Sequence, residues 1–136
     1  MEAFEREFGC EIVYLPRFED DRGFLNVLTP AGIGETPYMY FSVTHVGKSR
    51  DADQWHLHHK HTDRFVVLRG EAMFFLSNGI KTVFYVLGHP DRMLIVPPGV
   101  LHCFQNIGDV PVEIVNLPDA VYDPEDEIRI PVKGAE

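Results

Sequence analysis

Residues 55–64 read Trp-His-Leu-His-His-Lys-His-Thr-Asp-Arg and hold four of the seven histidines of this 136-residue chain. A second segment, residues 95–106, reads Ile-Val-Pro-Pro-Gly-Val-Leu-His-Cys-Phe-Gln-Asn. Side chains alternate between the two faces of a β-strand, so His56 and His58 are expected to point the same way. If both segments line one barrel, His102 joins them. The two segments together predict a histidine-lined pocket inside a β-structure.

The rest of the chain consists of short apolar segments separated by turn residues, which is typical of an all-β sandwich or small barrel. Asn78-Gly79, between two apolar segments, is the strongest hairpin signal. No window has a helical period with caps, although residues 1–8 are compatible with one short helical turn. Nine strands are predicted: Glu11–Leu15, Phe24–Thr29, Tyr38–Val46, Arg64–Leu68, Ala72–Leu76, Lys81–Leu87, Met93–Val96, His102–Asn106 and Val112–Leu117.

Composition limits the classes of partner. A formal charge of −9 argues against binding to nucleic acid or to an anionic membrane, both of which favour a basic surface. Two cysteines do not make a disulfide scaffold, and there is neither an apolar N-terminal leader nor a stretch of eighteen apolar residues. These features predict a cytoplasmic protein.

The length predicts one domain. It divides into an N-terminal strand arm over residues 1–40, a barrel core over residues 41–118 and an acidic C-terminal arm over residues 119–136, which is expected to wrap the barrel rather than add core. The connection His59-Lys60-His61 is interpreted as a solvated turn, and Asp126 as surface charge.

The two histidine segments resemble the two sequence motifs of the cupins. His56-x-His58 is followed by Asp63 and Gly70 at the spacing of the first motif, with aspartate where glutamate is usual. The second motif is matched by Pro97, Gly99, His102 and Asn106. The chain is therefore predicted to be an all-β protein with a single-domain cupin (RmlC-like jelly-roll) barrel.

A closer resemblance, spread over nearly the whole chain, is to the dTDP-4-dehydrorhamnose 3,5-epimerase family. It is carried by Phe18-Glu-Asp-Asp-Arg-Gly-Phe24, by Trp55-His56, by Pro97-Pro-Gly-Val-Leu-His-Cys-Phe104 and by Tyr122-Asp-Pro-Glu-Asp-Glu127. These enzymes are dimeric, metal-free cupins that act on nucleotide-linked 4-keto sugars. The resemblance implies a nucleotide-sugar substrate, a homodimer and no cofactor.

The resemblance also implies roles for individual residues. His56 is similar to the base that removes the sugar proton, Arg64 falls near the lysine that faces the enolate, and Arg22 resembles the arginine at the nucleotide diphosphate. Further substrate-pocket residues are expected to be His58, His102, Asn116 and Glu127. Asn116 occupies the place of the family's tyrosine acid. Shorter relatives that move the keto group of a nucleotide sugar, the 3,4-ketoisomerases, remain an open alternative to the epimerases.

Two alternatives remain open. Three imidazoles and a carboxylate suit a divalent transition metal, so a metal-dependent cupin, a dioxygenase or an isomerase, would use His56, His58, Asp63 and His102 as ligands. A non-catalytic cupin that binds a sugar or a nucleotide would keep the pocket without the acid.

The two catalytic interpretations require opposite orientations of one strand. Adjacent residues on a regular strand cannot both face inward. A metal needs Asp63 inside the barrel, whereas an enolate-binding cation needs Arg64 inside. Arg69 shares the alternation of Asp63, and an arginine is less costly outside, which favours Arg64 as the inward residue.

Overall fold

The computed structural model describes residues 2–5, 7–50 and 54–131, with the first of these ranges described by its backbone alone. Two 3-10 turns, Glu7–Gly9 and Pro124–Asp126, are the helical segments of these ranges, and none has the length and apolarity to span a bilayer. The strands are β1 Glu2–Glu5, β2 Glu11–Tyr14, β3 Arg17–Asp20, β4 Gly23–Asn26, β5 Tyr40–Thr44, β6 Ser49–Arg50, β7 Trp55–His58, β8 Asp63–Arg69, β9 Ala72–Ser77, β10 Thr82–Leu87, β11 Arg92–Val96, β12 Leu101–Asn106, β13 Val112–Asn116 and β14 Glu127–Ile130. The prediction of an all-β protein is confirmed.

Two sheets form a jelly-roll-like sandwich. The strand order of the first sheet is β1-β2-β11-β8-β13-β5, and that of the second is β10-β9-β12-β7-β14, with β6 paired to β12. The hairpin β3–β4 forms a separate two-stranded sheet. Because consecutive strands β7 and β8 lie in different sheets, the connection between them crosses from one layer to the other. This crossing lies beside the histidine segment.

The core forms because alternate residues of facing strands are apolar. Phe65 and Val67 of β8 meet Phe74 and Leu76 of β9 in one buried cluster, and the Phe65 and Phe74 rings lie 5.2 Å apart. Each such side chain contributes roughly 1.5–3 kcal/mol when it is fully buried. The cluster borders the histidine segment, since the Phe65 ring lies 5.9 Å from that of His102.

The predicted hairpin at Asn78-Gly79 is confirmed. β9 and β10 pair antiparallel up to Ser77↔Thr82, so the connection is a four-residue turn. The Asn78 Oδ1 accepts hydrogen bonds from the backbone N–H groups of Ile80 and Lys81, at 2.9 and 2.8 Å. Gly79 has φ +91°, a conformation that favours glycine.

All nine predicted strands are present, with ends shifted by a few residues. The N-terminal segment differs from its prediction, because residues 2–5 form β1, which pairs with β2, and a 3-10 turn covers Glu7–Gly9. The acidic C-terminal segment adds β14, which pairs antiparallel with β7. Chain residues far apart in sequence therefore meet at the histidine segment.

Candidate functional site

Three histidines converge between the sheets, as predicted. His56 of β7 and His102 of β12 are cross-strand partners, and their ring centroids lie 4.2 Å apart. The His58 ring lies 5.3 Å from that of His56 and 5.8 Å from that of His102. His58 and His102 are buried, whereas His56 is half-buried and is the histidine of this group most open to a ligand.

Asp63, at the start of β8, points at the histidines. Its Oδ2 lies 3.1 Å from His102 Nε2 and 3.4 Å from His58 Nε2, and its Oδ1 accepts a hydrogen bond of 2.9 Å from Asn116 Nδ2. Burial alone would raise the pKa of Asp63, but its contacts with His102, His58 and His61 outweigh burial and hold that pKa far below its usual range. Asp63 is therefore a buried carboxylate anion at the centre of the site.

His61 is buried, so its interpretation as part of a solvated turn is wrong. Its two ring nitrogens each face a carboxylate: Nε2 lies 3.2 Å from Asp63 Oδ1, and Nδ1 lies 3.2 Å from Asp126 Oδ2. The hydrogen bond to Asp63 raises the pKa of His61, against the opposing effect of burial, and the negative charges of Asp63 and Asp126 raise it further. Because each ring nitrogen can bond its carboxylate only as an N–H donor, this geometry favours the protonated ring.

Asp126 is buried as well, which corrects its interpretation as surface charge. Its carboxylate accepts hydrogen bonds from the backbone N–H groups of His59 and Lys60, with Oδ1 at 2.9 and 3.1 Å. Burial would raise the pKa of Asp126, but these two backbone donors and the nearby His61 hold it below its usual value. Asp126 thus ties the C-terminal segment to the connection between β7 and β8.

Arg64 lies outside the barrel, so the expectation that it faces the sugar is wrong. Its guanidinium donates hydrogen bonds to three backbone carbonyls, those of Leu117 at 2.6 Å, Ile33 at 2.6 Å and Glu35 at 2.5 Å. These bonds pair the guanidinium with backbone oxygens on the face of the first sheet that points away from the histidines. Arg64 therefore fixes the segment around residues 33–35 against β8 and does not line the histidine pocket.

Strand β8 is not regular, so the exposure of Arg69 does not show which way Asp63 points. Glu113 of β13 pairs with Arg69, but the next residue, Ile114, pairs with Val67, so Leu68 is an extra residue in β8. Such a bulge resets the alternation of faces. Arg69 is consequently exposed while Asp63, with the same parity, is buried.

The contact between His102 and Asp63 has a consequence for protonation. The carbonyl of Val100 can only accept, so His102 Nδ1, 2.9 Å away, carries a proton. A neutral His102 would then turn the lone pair of Nε2 towards Asp63 Oδ2. In this tautomer Nε2 and Asp63 Oδ2 face each other as two acceptors 3.1 Å apart, and Nε2 has no hydrogen-bond partner among the described residues.

Two adjoining cavities share Tyr40 and His56. The larger, of about 240 Å³, is also lined by Ser42, Arg50 and His102, together with Phe65, Cys103 and Phe104. Arg50 is the only lysine or arginine among the described residues that line either cavity. Its Nε donates to Thr44 Oγ1 at 3.1 Å, which holds the guanidinium at the rim. Sequence reasoning missed Arg50 because it lies outside both motifs.

The smaller cavity, of about 80 Å³, brings together the remaining pocket residues predicted from the sequence. His58, Asn116 and Glu127 line it, with Tyr38 and Tyr122 among the other walls. Arg22 lines neither cavity. It lies at the turn of the β3–β4 hairpin, with a side chain that is 86% exposed and paired with Asp20.

The fold and the inward-facing histidines and carboxylate define a cupin barrel. The chain belongs to the FdtA family, described as WxcM-like, C-terminal, whose sequence profile matches residues 8–132. One relative is the spore coat polysaccharide biosynthesis protein SpsL of Bacillus subtilis, which is 27% identical over 90% of this chain and 88% of SpsL. Another is the UDP-2-acetamido-2,6-beta-L-arabino-hexul-4-ose reductase of Pseudomonas aeruginosa, which is 29% identical over 82% of this chain. The chain spans only 29% of the length of that reductase.

Solved structures of similar fold include sugar 3,4-ketoisomerases and 3,5-epimerases. The WlaRB TDP-quinovose 3,4-ketoisomerase of Campylobacter jejuni has a TM-score of 0.80 at 22% identity, over 90% of this chain and 93% of that one. An RmlC 3,5-epimerase of Legionella pneumophila, in complex with dTDP-4-keto-L-rhamnose, has a TM-score of 0.79 at 18% identity, over 93% of this chain and 76% of that one. At these identities the likeness establishes the shared fold.

Proposed function

We propose that this protein isomerises or epimerises a nucleotide-linked 4-keto sugar, and that His56 is the base that removes the proton next to the ketone. One observation carries the proposal: His56 is the half-buried histidine shared by both cavities, packed edge-on against His102 at 4.2 Å. A base must reach the substrate, and a half-buried imidazole that lines both cavities meets this requirement. The activities of proteins with the same fold support this substrate class.

The reaction also needs a group that stabilises the enolate. Removing a proton next to a ketone places negative charge on the carbonyl oxygen, and a cation or a hydrogen-bond donor must meet it. Arg64 is on the wrong side of the sheet for this role. We assign the role to Arg50, whose guanidinium is held at the rim of the His56 cavity by Thr44.

The base assignment is tested by deuterium exchange. We expect wild-type protein incubated with dTDP-4-keto-6-deoxyglucose in D₂O to exchange a proton next to the ketone. His56→Asn is expected to slow exchange by roughly 10²–10⁴-fold, as is typical when a positioned base is removed. His89→Asn, at an exposed loop position, is the control and is expected to exchange at the wild-type rate. Equal rates for the two variants would reject His56 as the base.

A metal-assisted reaction is the second candidate, because the same residues form a suitable ligand set. One donor atom each from His56, His58, Asp63 and His102 lie within 4.8 Å of one another. The buried Nδ1 of His58 has no hydrogen-bond partner among the described residues, and a metal would also resolve the contact between His102 and Asp63. When bound, a divalent metal would polarise the ketone and stabilise the enolate oxygen.

Metal content separates the two candidates. Untagged protein, purified without chelator, is to be analysed by inductively coupled plasma mass spectrometry. The metal-free proposal predicts substoichiometric metal and exchange that is insensitive to EDTA. A stoichiometric transition metal, together with exchange that EDTA abolishes and a divalent metal restores, would assign the pocket to the metal-dependent candidate. Tight sugar binding without any exchange would favour a non-catalytic binding protein.

We also propose that the protein is a homodimer in which residues 11–29 lie against the partner. The β3–β4 hairpin exposes Phe18, Phe24 and Leu25, a larger apolar surface than a short hairpin usually leaves in water. Because Arg22 on this hairpin lines neither cavity of its own chain, its proposed contact is with the diphosphate of a sugar bound at a partner subunit. A cytoplasmic location stays a prediction from the sequence.

A further inference from the structure

A base that returns its proton to the same face of the same carbon regenerates the starting sugar. When His56 takes the proton from carbon, the electron pair of the broken C–H bond moves to the ketone and forms an enolate. Epimerisation then requires a proton to be delivered to the opposite face of that carbon, and transfer of the keto group requires proton transfers at the two oxygens as well as at the former carbonyl carbon. A second proton-transfer group must therefore line the same cavities, and this requirement rests on the proposed function.

We infer that Tyr40 is this second proton-transfer residue and that Asn116 positions it. Tyr40 opens β5, and its Cα pairs with that of Asn116 on the neighbouring strand β13. Both cavities that contain His56 are also lined by Tyr40. Tyr38 and Tyr122, the other tyrosines of these walls, line only the smaller cavity. Tyr40 is thus the phenol best placed to share a substrate with His56.

The hydrogen bond between Asn116 and Tyr40 has a defined direction. The Asn116 Oδ1 accepts from the backbone N–H of Arg64 at 2.9 Å, and Nδ2 donates to Asp63 Oδ1 at 2.9 Å. A flipped amide would set oxygen against a carboxylate and NH₂ against an N–H, so the network fixes the orientation. Nδ2 consequently donates to the Tyr40 hydroxyl oxygen at 3.1 Å.

This direction suits a proton donor. The Tyr40 oxygen accepts in the bond with Asn116, so that bond does not use the phenol proton. If the proton moves to the enolate carbon, a C–H bond forms, the phenol O–H bond breaks, and Asn116 stabilises the phenolate that remains. The phenolate regains a proton from solvent while His56 releases one, so the step needs no oxidant or reductant.

Tyr40→Phe tests the inference, because solvent exchange and product formation depend on different residues. We follow both in one D₂O incubation with dTDP-4-keto-6-deoxyglucose, by NMR. Tyr40→Phe is expected to keep exchange within about threefold of wild type and to lose product formation by roughly 10²–10⁴-fold. Tyr14→Phe, on β2 and outside both cavities, is the control and is expected to match wild type in both rates.

Asn116→Ala gives a second readout. Loss of the positioning bond is expected to lower the ratio of product to exchange and to shift the pH profile of product formation while leaving that of exchange unchanged. Product formation by Tyr40→Phe at the wild-type rate would overturn the inference. An equal fall in both rates would also overturn it, since Tyr40 would then only shape the pocket. If wild type itself exchanges nothing, the proposed function fails first and the inference fails with it.

Discussion

At the scale of single residues, Asp63 decides what the pocket is. It is surrounded by three imidazoles and an amide, and it keeps its charge although it is buried. The alternation of side chains between the two faces of β8 allowed either Asp63 or Arg64 to face the barrel interior. In the structure, Asp63 faces the interior. The Asp63 carboxylate contacts His61 and His102 on one side and Asn116 on the other. It therefore links the histidines near the proposed base to the residue that positions Tyr40.

Asp63→Asn is expected to destabilise the protein. The substitution leaves the buried His61 cation with one carboxylate instead of two, and breaking a buried charge pair costs about 3–5 kcal/mol. Urea unfolding followed by circular dichroism measures the loss. Asp20→Asn, which alters an exposed ion pair on the hairpin, is the control and is expected to leave the unfolding free energy essentially unchanged. A stable Asp63→Asn protein would mean that the site carries little charge.

His61 gives the protein a pH-dependent stability. Its folded-state pKa is raised, so the stabilisation is complete below about pH 6.5, the ordinary histidine value, and is lost as pH rises through the folded-state pKa. Asp63 and Asp126, whose pKa values are lowered, stay ionised throughout this range. The melting temperature is therefore expected to fall as pH rises above about 6.5.

The matched pair for this prediction is His61→Gln and His89→Gln. The first variant removes the titrating cation, and its melting temperature is expected to change less with pH than that of wild type. The second removes an exposed histidine and is expected to follow wild type. Differential scanning calorimetry at several pH values measures the slopes, and parallel slopes for the two variants would contradict the assignment to His61.

At the scale of elements, nine of the strands and the hairpin at Asn78-Gly79 were predictable, whereas the connection between β7 and β8 was not. Apolar alternation located the strands, and Asn78-Gly79 located a hairpin. The bulge at Leu68 could not be predicted from the sequence, because both faces of β8 are apolar and the pattern of apolar residues does not reveal the extra residue. The histidine motif predicted His56, His58 and His102, but the burial of His61 depends on Asp126, which is 65 residues away in sequence and meets it only through the pairing of β7 with β14.

The turn after β8 supplies a prediction at this scale. Gly70 has φ +86°, and an added Cβ would lie 3.1 Å from the backbone of both Pro111 and Val112. Gly79 has a similar φ of +91° with open space around it. Gly70→Ala is expected to cost more stability than Gly79→Ala, by about 1–2 kcal/mol beyond the shared backbone strain of roughly 1 kcal/mol. Equal losses in chemical denaturation would show that the backbone yields at Gly70.

At the scale of the whole molecule, the chain is one cupin barrel with an apolar hairpin outside it. Light scattering at micromolar concentration is expected to give twice the chain mass of 15.5 kDa. A double substitution of exposed hairpin residues, Phe18→Ser with Phe24→Ser, is expected to shift the protein to monomer. Ile80→Ser, at a fully exposed turn away from the hairpin, is the control and is expected to remain dimeric. A monomeric wild-type protein would remove the proposed partner contact of Arg22.

The central claim is proton abstraction beside a ketone in the His56 pocket. The most direct measurement is the mass and NMR spectrum of dTDP-4-keto-6-deoxyglucose recovered from wild-type protein in D₂O with EDTA present. We predict one deuterium at a carbon next to the ketone, appearing far faster than in a protein-free sample. Recovery of undeuterated sugar from protein that binds it, as shown by calorimetry in the same buffer, would show that the pocket does not abstract this proton.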